Sequence, residues 1–289
     1  MKNKQYSKQQ TGFSLIELMI ASALSLVLVA GIATIYMSSR QTYNARDEIS
    51  TMQENARTAI GALTKHLEHA GYATAARLPL DKAFYVDGDA TPASKNCGGG
   101  ENSIALTNPA DLVQTLDHDA ASSAGDTIGV VFFADSLITN DCGNEPIPVN
   151  CQVQAAPNPE YSRIYNSFYA GTSVEGMPNL FCVGSRGTAA TSIAEGVEAM
   201  QFAYGVDQDD NGTVDSYLDA SAVKAADSWG QVRSIKAALL VRSREPVFNA
   251  AEAKDYTLLG TTFSRNDRYQ RTVHTAVIYL RNLAVSEGA

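Results

Sequence analysis

Thr11-Gly12-Phe13-Ser14-Leu15-Ile16-Glu17-Leu18 opens the longest apolar run of the chain, and its reading decides the architecture. From Phe13 to Met37 the only charge is Glu17; the other residues are apolar, small or hydroxylic. Such a run exceeds the roughly 20 residues a helix needs to cross a hydrocarbon core. It therefore predicts a membrane-spanning helix, not a core helix. Residues 1–12 carry Lys2, Lys4 and Lys8 and no acid, which assigns that end to the cytoplasm and the bulk of the chain to the other side. An ordinary secretory signal has an apolar core of about 7 to 15 residues followed by a small-residue cleavage site. Here the glycine lies before the run. Glu17 would cost roughly 2.5 to 3.5 kcal/mol at mid-bilayer and less near an end, so it implies a partner or a purpose.

Beyond Met37 the pattern changes without a helix breaker. Ile49, Met52, Ala56, Ile60, Leu63, Leu67 and Ala70 step by three and four, with charges such as Arg46, Asp47, Glu48, Glu54, Arg57, Lys65 and Glu68 largely between. The spacing predicts one helix from near Phe13 to Ala70, stopped at Gly71. At 1.5 Å per residue it would span about 87 Å.

The rest of the 289-residue chain is long enough for a sizeable core. Strands are expected at residues 83–86, 103–107, 128–134, 161–170, 197–206, 232–241 and 273–280, where β-branched and aromatic residues are bounded by turn formers. Tyr161, Tyr165, Phe168 and Tyr169 read as sheet packing rather than as a binding platform. In the clearest strand Ile235, Ala237, Leu239 and Val241 face one way and Lys236 and Arg242 the other, which predicts one core face and one wet face. Gly98-Gly99-Gly100 fails as a phosphate loop, since no Lys-Ser/Thr follows. A net charge of −9 argues against general nucleic-acid binding and suits cations or basic partners.

Cys97, Cys142, Cys151 and Cys182 all follow the span, where an oxidising compartment makes an even count read as disulfides. Of the three pairings, Cys142 with Cys151 and Cys97 with Cys182 is favoured because the first closes a short Asn/Pro-rich loop. Spacing alone does not fix it, and free buried thiols are the competing reading.

The sharpest ligand candidate is Asp207-Gln208-Asp209-Asp210-Asn211-Gly212-Thr213-Val214-Asp215. It matches the first nine positions of an EF-hand-type calcium loop: Asp207, Asp209 and Asn211 supply side chains, Thr213 a carbonyl and Asp215 a further ligand. Position 12 is Leu218 rather than Glu, with Asp219 one place late. A solvated hairpin turn at Asn211-Gly212 is the alternative. His66 and His69 have a spacing that can grip a metal but lack further ligands, so they read as a solvated helix face. There is no Gly-x-Ser-x-Gly elbow and no positive argument for an enzyme; a set built on His118 or His274 would be arbitrary.

A basic leader, then Gly12-Phe13-Ser14-Leu15-Ile16-Glu17, then an unbroken apolar helix resembles the signal of type IV prepilins and type II secretion pseudopilins. Ala203-Tyr204-Gly205-Val206-Asp207, Val232-Arg233-Ser234-Ile235, Val241-Arg242-Ser243 and Tyr279-Leu280-Arg281-Asn282 follow in an order that resembles the PilW branch of minor pilins, and more distantly J-type pseudopilins. The resemblance covers most of residues 11–73 and 197–283. It implies cleavage between Gly12 and Phe13 by a prepilin peptidase, N-methylation of Phe13, and a docking role for Glu17 as the family's acidic fifth residue.

The expected fold class is α+β, a pilin-like lollipop. A leader (1–12) precedes a transmembrane half-helix (13–37) and an amphipathic half-helix (38–71), packed on an antiparallel β-sheet-rich periplasmic head (72–289). The expected role is a minor pilin, anchored in the inner membrane by a single pass and then at the pilus tip, that primes or caps type IV pilus assembly for adhesion, twitching motility or DNA uptake. Implied partners are other minor and major pilins, the inner-membrane assembly platform and a tip adhesin. Rivals are a J-type pseudopilin, a membrane-tethered calcium-dependent binding module and, remotely, a hydrolase.

Overall fold

The computed structural model describes residues 12–73, 80–89, 112–118, 124–153, 162–186 and 189–282. Gly98-Gly99-Gly100, Cys97, Tyr161 and the strand expected at 103–107 lie outside them. The chain divides into two compact units, with the boundary between Asp47 and Glu48.

In the first unit the helix α1 (Leu15–Leu67) begins. Its apolar side chains are exposed all round, Leu15 at 79%, Val27 at 72% and Ile35 at 68%, and it is long and apolar enough to cross a membrane. Four hydroxyls within it are satisfied locally. Ser22 donates to the Met19 carbonyl, Ser25 to Ala21, Thr34 to Gly31 and Thr42 to Ser38. That back-bonding meets the demand that no polar group be left unpaired in lipid.

In the second unit α1 buries Met52, Ala56, Ala59, Leu63 and Leu67, an apolar stripe at the helical repeat. The chain leaves the helix through Gly71, whose φ of 73° is open to glycine at little cost. Its N–H donates to the Val131 carbonyl at 2.9 Å, so the helix end is joined directly to a strand. Gly61 lies mid-helix with nothing within 4 Å of an added Cβ. Gly61→Ala is accordingly expected to stabilise the fold by about 0.5–1 kcal/mol, read as a higher urea midpoint at unchanged slope.

Two antiparallel four-stranded sheets complete the core. The first has the order β1 (Ile128–Phe133), β2 (Arg163–Thr172), β3 (Pro178–Gly184), β4 (Thr191–Glu195). The second runs β10 (Arg271–Tyr279), β7 (Val232–Arg242), β5 (Val197–Val206), β6 (Ser216–Leu218). Side chains from α1 and from both sheets, among them Leu63, Ile128, Phe168, Met200 and Ile235, form one cluster. A short helix, α2 (Ala220–Ala225), and a separate hairpin of β8 (Glu252–Leu258) and β9 (Thr261–Asp267) are added to this frame. The α+β class therefore holds, with a long N-terminal apolar helix and an antiparallel sheet-rich head. The expected strand at 83–86 is reduced to two isolated bridges, Phe84 with Val130 and Val86 with Thr115.

The wet face expected on β7 needs correcting. Ala238 and Leu240 are buried there with Ala199, under Tyr256, Leu258 and Phe263 of the β8–β9 hairpin. Lys236 and Arg242, at the two ends of the covered stretch, are half-buried. The hairpin is fastened by charge as well as by apolar contact. Arg271, 4% exposed, makes 2.6 Å ion pairs with Glu198 of β5 and Asp267 of β9, and Arg265 reaches Glu198 at 2.9 Å.

The cysteine pairing differs from the favoured one. Cys142 is bonded to Cys182, 40 residues on, with Cα atoms 6.1 Å apart, so neither Cys142–Cys151 nor Cys97–Cys182 forms. The Asn/Pro-rich loop closes itself without a covalent link. Ile147 N–H donates to Thr139 and Asp141 N–H to Glu145, while the Asp141 carboxylate takes the N–H groups of Gly143, Glu145 and Arg186. This turn, held by a hydrogen bond from Cys142 N–H to the Asn166 side chain, aims Cys142 at β2 and β3 instead of along the chain. Cys151 is fully buried among Phe132, Ala134, Ile147 and Ile164 and is itself disulfide-bonded.

Candidate functional site

The start of α1 places Glu17 in its first turn. Glu17 does not stand free. The Ser14 N–H donates to Glu17 Oε2 at 2.9 Å, and the Glu17 N–H donates to Ser14 Oγ at 3.3 Å. This reciprocal pair is a capping box, and Ser-x-x-Glu before an apolar run is its sequence signature. The carboxylate thus satisfies a donor at the helix start and sits where the helix dipole favours negative charge. Gly12 and Phe13 precede it, Phe13 89% exposed and Gly12 with open space around its α-carbon. The Gly12–Phe13 peptide, an apolar rod and one carboxylate are therefore adjacent at the head of the helix.

The acidic stretch forms the loop between β5 and β6. Carboxylate oxygens of Asp207, Asp209 and Asp215 lie within 4.8 Å of one another, with Asp207 buried and the other two exposed. Asp207 accepts from the N–H groups of Asn211 at 3.0 Å and Gly212 at 2.9 Å, and from Arg233 Nε at 3.1 Å. Burial alone would raise the Asp207 carboxyl, but Arg233 and the two amide donors hold it below the ordinary range. The Asn211 amide oxygen is turned onto the Thr213 N–H at 2.8 Å. Asp219, the late acid, is spoken for: it caps α2, accepting from Ala222 N at 2.6 Å. The donor set suits a hard cation through Asp207, Asp209 and Asp215, with Arg233 supplying positive charge from one side. Arg233 was not singled out from the sequence, because its contact depends on β7 lying beside β5.

The histidine pair is not a solvated face. His66 packs on Phe168 and His69 on Phe132, with ring centroids 5.6 and 5.8 Å apart. Burial, then the neighbouring His69 and Lys65, push the His66 imidazole down to about 4, and burial with Lys65 lowers His69 as well. They border a cavity of about 460 Å³ with Ile138, Asn140 and Asp141. Among the described residues no third metal-ligating side chain converges on them.

Glu48 is another contact invisible in the sequence. Its carboxylate accepts the N–H groups of Arg244 at 2.8 Å and Glu245 at 3.1 Å, fastening α1 to the turn after β7.

Comparison with known proteins gives two family matches. Residues 167–282, which take in most of β2 and everything through β10, match the PilW family, described as type IV pilus-assembly protein W. Residues 7–33 match the prokaryotic N-terminal methylation motif, which contains Gly12, Phe13 and Glu17. No curated protein matches the chain. Among solved structures, a type IV-like pilin from Thermus thermophilus is similar at 18% identity and a TM-score of 0.32, over 57% of this chain and 83% of that one.

Proposed function

We propose that this chain, which carries a PilW-type domain behind a prepilin methylation motif, is a type IV pilin-like minor pilin that primes or caps assembly of a type IV pilus. The observation that carries this reading is the exposed apolar surface of α1 with a single carboxylate in its first turn. A prepilin peptidase removes residues 1–12 on the cytoplasmic side and Phe13 is N-methylated. Residues 13–37 anchor the subunit in the inner membrane, residues 38–71 form the amphipathic half of the helix, and the head occupies the periplasm. On docking, Glu17 turns from its own helix start to the Phe13 amine of an adjacent subunit. In lipid that amine has no other counter-charge, so the pair fixes register. Other minor and major pilins, the assembly platform and a tip adhesin are the partners of this reading, in service of adhesion, twitching motility or DNA uptake. The matched family is structural, and a non-enzymatic role is part of the proposal.

Mass spectrometry of the mature N-terminus tests it. The expected product begins with methylated Phe13, and Gly12→Val retains all 12 leader residues. An intact leader on the wild-type protein in cells that make filaments would overturn the reading. Scoring twitching against exoprotein secretion after gene deletion separates a pilus subunit from a J-type pseudopilin.

The same proposal includes calcium at the β5–β6 loop, held by Asp207, Asp209 and Asp215 with the Asn211 side chain and the Thr213 carbonyl. A dissociation constant in the 10⁻⁴ to 10⁻³ M range means that about 5 mM calcium raises the melting temperature by roughly 2–9 °C. The shift is expected to vanish in Asp209→Ala. An unchanged melting temperature in the wild type would assign the loop to Arg233 alone.

A further inference from the structure

β10 is the outermost strand of its sheet and is bonded to β7 alone. Its register is unbroken, and two hydrogen bonds fix the phase: Leu280 N–H donates to the Arg233 carbonyl at 3.0 Å and Ser243 N–H to the Gln270 carbonyl at 2.8 Å. In an antiparallel ladder bonded and non-bonded positions alternate. The backbones of Thr272, His274, Ala276 and Ile278 therefore face β7, and those of Val273, Thr275, Val277 and Tyr279 face outward. Among the described residues nothing pairs with these outward N–H and carbonyl groups. The other sheet edges are blunted in the ways that keep edges from pairing. The outer side of β1 is covered, since Gly71 donates to Val131, Val131 to Ala83, Tyr85 to Gly129 and Phe133 to Tyr72. β4 is five residues long, shifts register against β3 and ends on Glu195, and β6 has three residues. β8 carries Glu252, Lys254 and Asp255, and β9 carries Arg265 and Asp267. β10 has no such device. From Thr272 to Leu280 it contains no Lys, Arg, Asp, Glu or Pro. Val277 and Tyr279 are 42% and 64% exposed, beyond the part of the face where the β8–β9 hairpin packs on Ala238, Leu240 and Val273.

We propose that the outer edge of β10 receives an extended segment of another polypeptide, which joins the sheet as a further strand beside Val273 to Tyr279. Strand addition of this kind draws its affinity from main-chain hydrogen bonds and its selectivity from alternate side chains. Only an extended backbone matches N–H and carbonyl groups that recur at every second residue. Side chains of the segment that lie beside Val277 and Tyr279 meet exposed apolar surface, so β-branched or aromatic residues at alternate positions fit best. A second copy of this chain is the poorer occupant. Two rigid heads meeting along a strand of nine residues would bury on the order of 600 Å² in total, half of the roughly 1,200 Å² at which stable interfaces begin. Each would also bring a net charge of −9. A segment outside any rigid domain can instead lay side chains on both faces of the sheet. The edge would serve a pilus subunit and a tethered binding module alike, so its failure would leave the reading of α1 untouched.

The test uses the full-length protein in detergent micelles and the peptide N-acetyl-Glu-Thr-Val-Thr-Val-Thr-Tyr-Lys-amide, with a control peptide in which both valines are proline. Hydrogen exchange resolved to single amides is the readout. Without peptide, the amides of Val273, Thr275, Val277 and Tyr279 are expected to exchange at least about tenfold faster than those of Thr272, His274, Ala276 and Ile278. About 5 mM peptide should slow the first set at least about tenfold, saturably, and leave the second set unchanged, whereas the proline control should do neither. Thr275→Pro removes an N–H that β7 does not use, so it should abolish this protection while the β7 amides of Ala237 and Leu239 stay slow. Should that variant unfold, Val277→Lys places a charge on the edge at an exposed position, and peptide affinity should fall at least about tenfold. Protection of the outward amides without peptide, rising with protein concentration, would assign the edge to a second copy and overturn the proposal. Slow exchange of both sets at every concentration, no protection at about 5 mM peptide, or equal protection by the proline control would overturn it as well.

Discussion

Glu17→Ala is expected to abolish incorporation into sheared filaments while the subunit still accumulates in the inner membrane. In an assembled apolar bundle, removing one member of a desolvated ion pair strands the other, at a cost of about 3–5 kcal/mol. At about 1.4 kcal/mol per factor of ten, that weakens docking roughly a hundred- to a few thousandfold. The capping box makes the experiment sharper, since Ala removes both the charge and the cap. Glu17→Gln separates them: glutamine at the same position still caps the Ser14 N–H but carries no charge. It is expected to fail as Glu17→Ala does, whereas Ser14→Ala, which costs the helix start about 1 kcal/mol, should assemble at reduced level. Filaments of normal abundance from Glu17→Gln would leave the carboxylate as a helix cap and nothing more.

Arg271→Met is expected to be the most damaging substitution in the head, destabilising it by about 3–5 kcal/mol at pH 7 in chemical denaturation. Glu198 keeps Arg265, but Asp267 loses its bidentate partner. The effect has a defined pH sign. Against the upward push of burial, Arg271 and Arg265 hold the Glu198 carboxyl below its ordinary range, and Arg271 does the same for Asp267. A depressed carboxyl contributes its stability fully above the unfolded value, near pH 4, and loses it as pH falls through the folded value. The gap between wild type and Arg271→Met should therefore be widest near neutrality and narrow in acid below about pH 4. A gap independent of pH would mean that the arginine acts through packing. Arg265→Met, where the side chain is 19% exposed against 2% for Arg271, should cost less.

These two residues mark what the sequence made legible. The rod could be read because apolar residues recur at the helical period without interruption, and because a lone acid in such a run demands an explanation. Even there the Ser14 partner was missed, although the signature Ser-x-x-Glu was in plain view. The strands at 128–134, 197–206 and 232–241 were readable from their β-branched content. The β8–β9 hairpin was not. Its strands are largely polar on one face, and its turn is Leu259-Gly260, with φ of 46° and 109°. That left-handed turn carries neither of the usual Asn-Gly or Asp-Gly cues. With the hairpin unseen, the second face of β7 looked wet and the Arg271 network had no reason to exist. The disulfide was misassigned for a related reason: proximity along the chain was weighed where proximity across β2 and β3 decided. At the acidic loop the clustered carboxylates were legible, but Arg233 entered through strand pairing.

The Cys142–Cys182 bond also bears on how the head carries load. A subunit held by its N-terminal helix and pulled at the other end of its chain transmits tension through every backbone bond between the two points. The bond provides a shorter route around 40 residues that include β2 and half of β3. Even if the surrounding sheet were torn open, that segment could not pay out its roughly 130–145 Å of contour length.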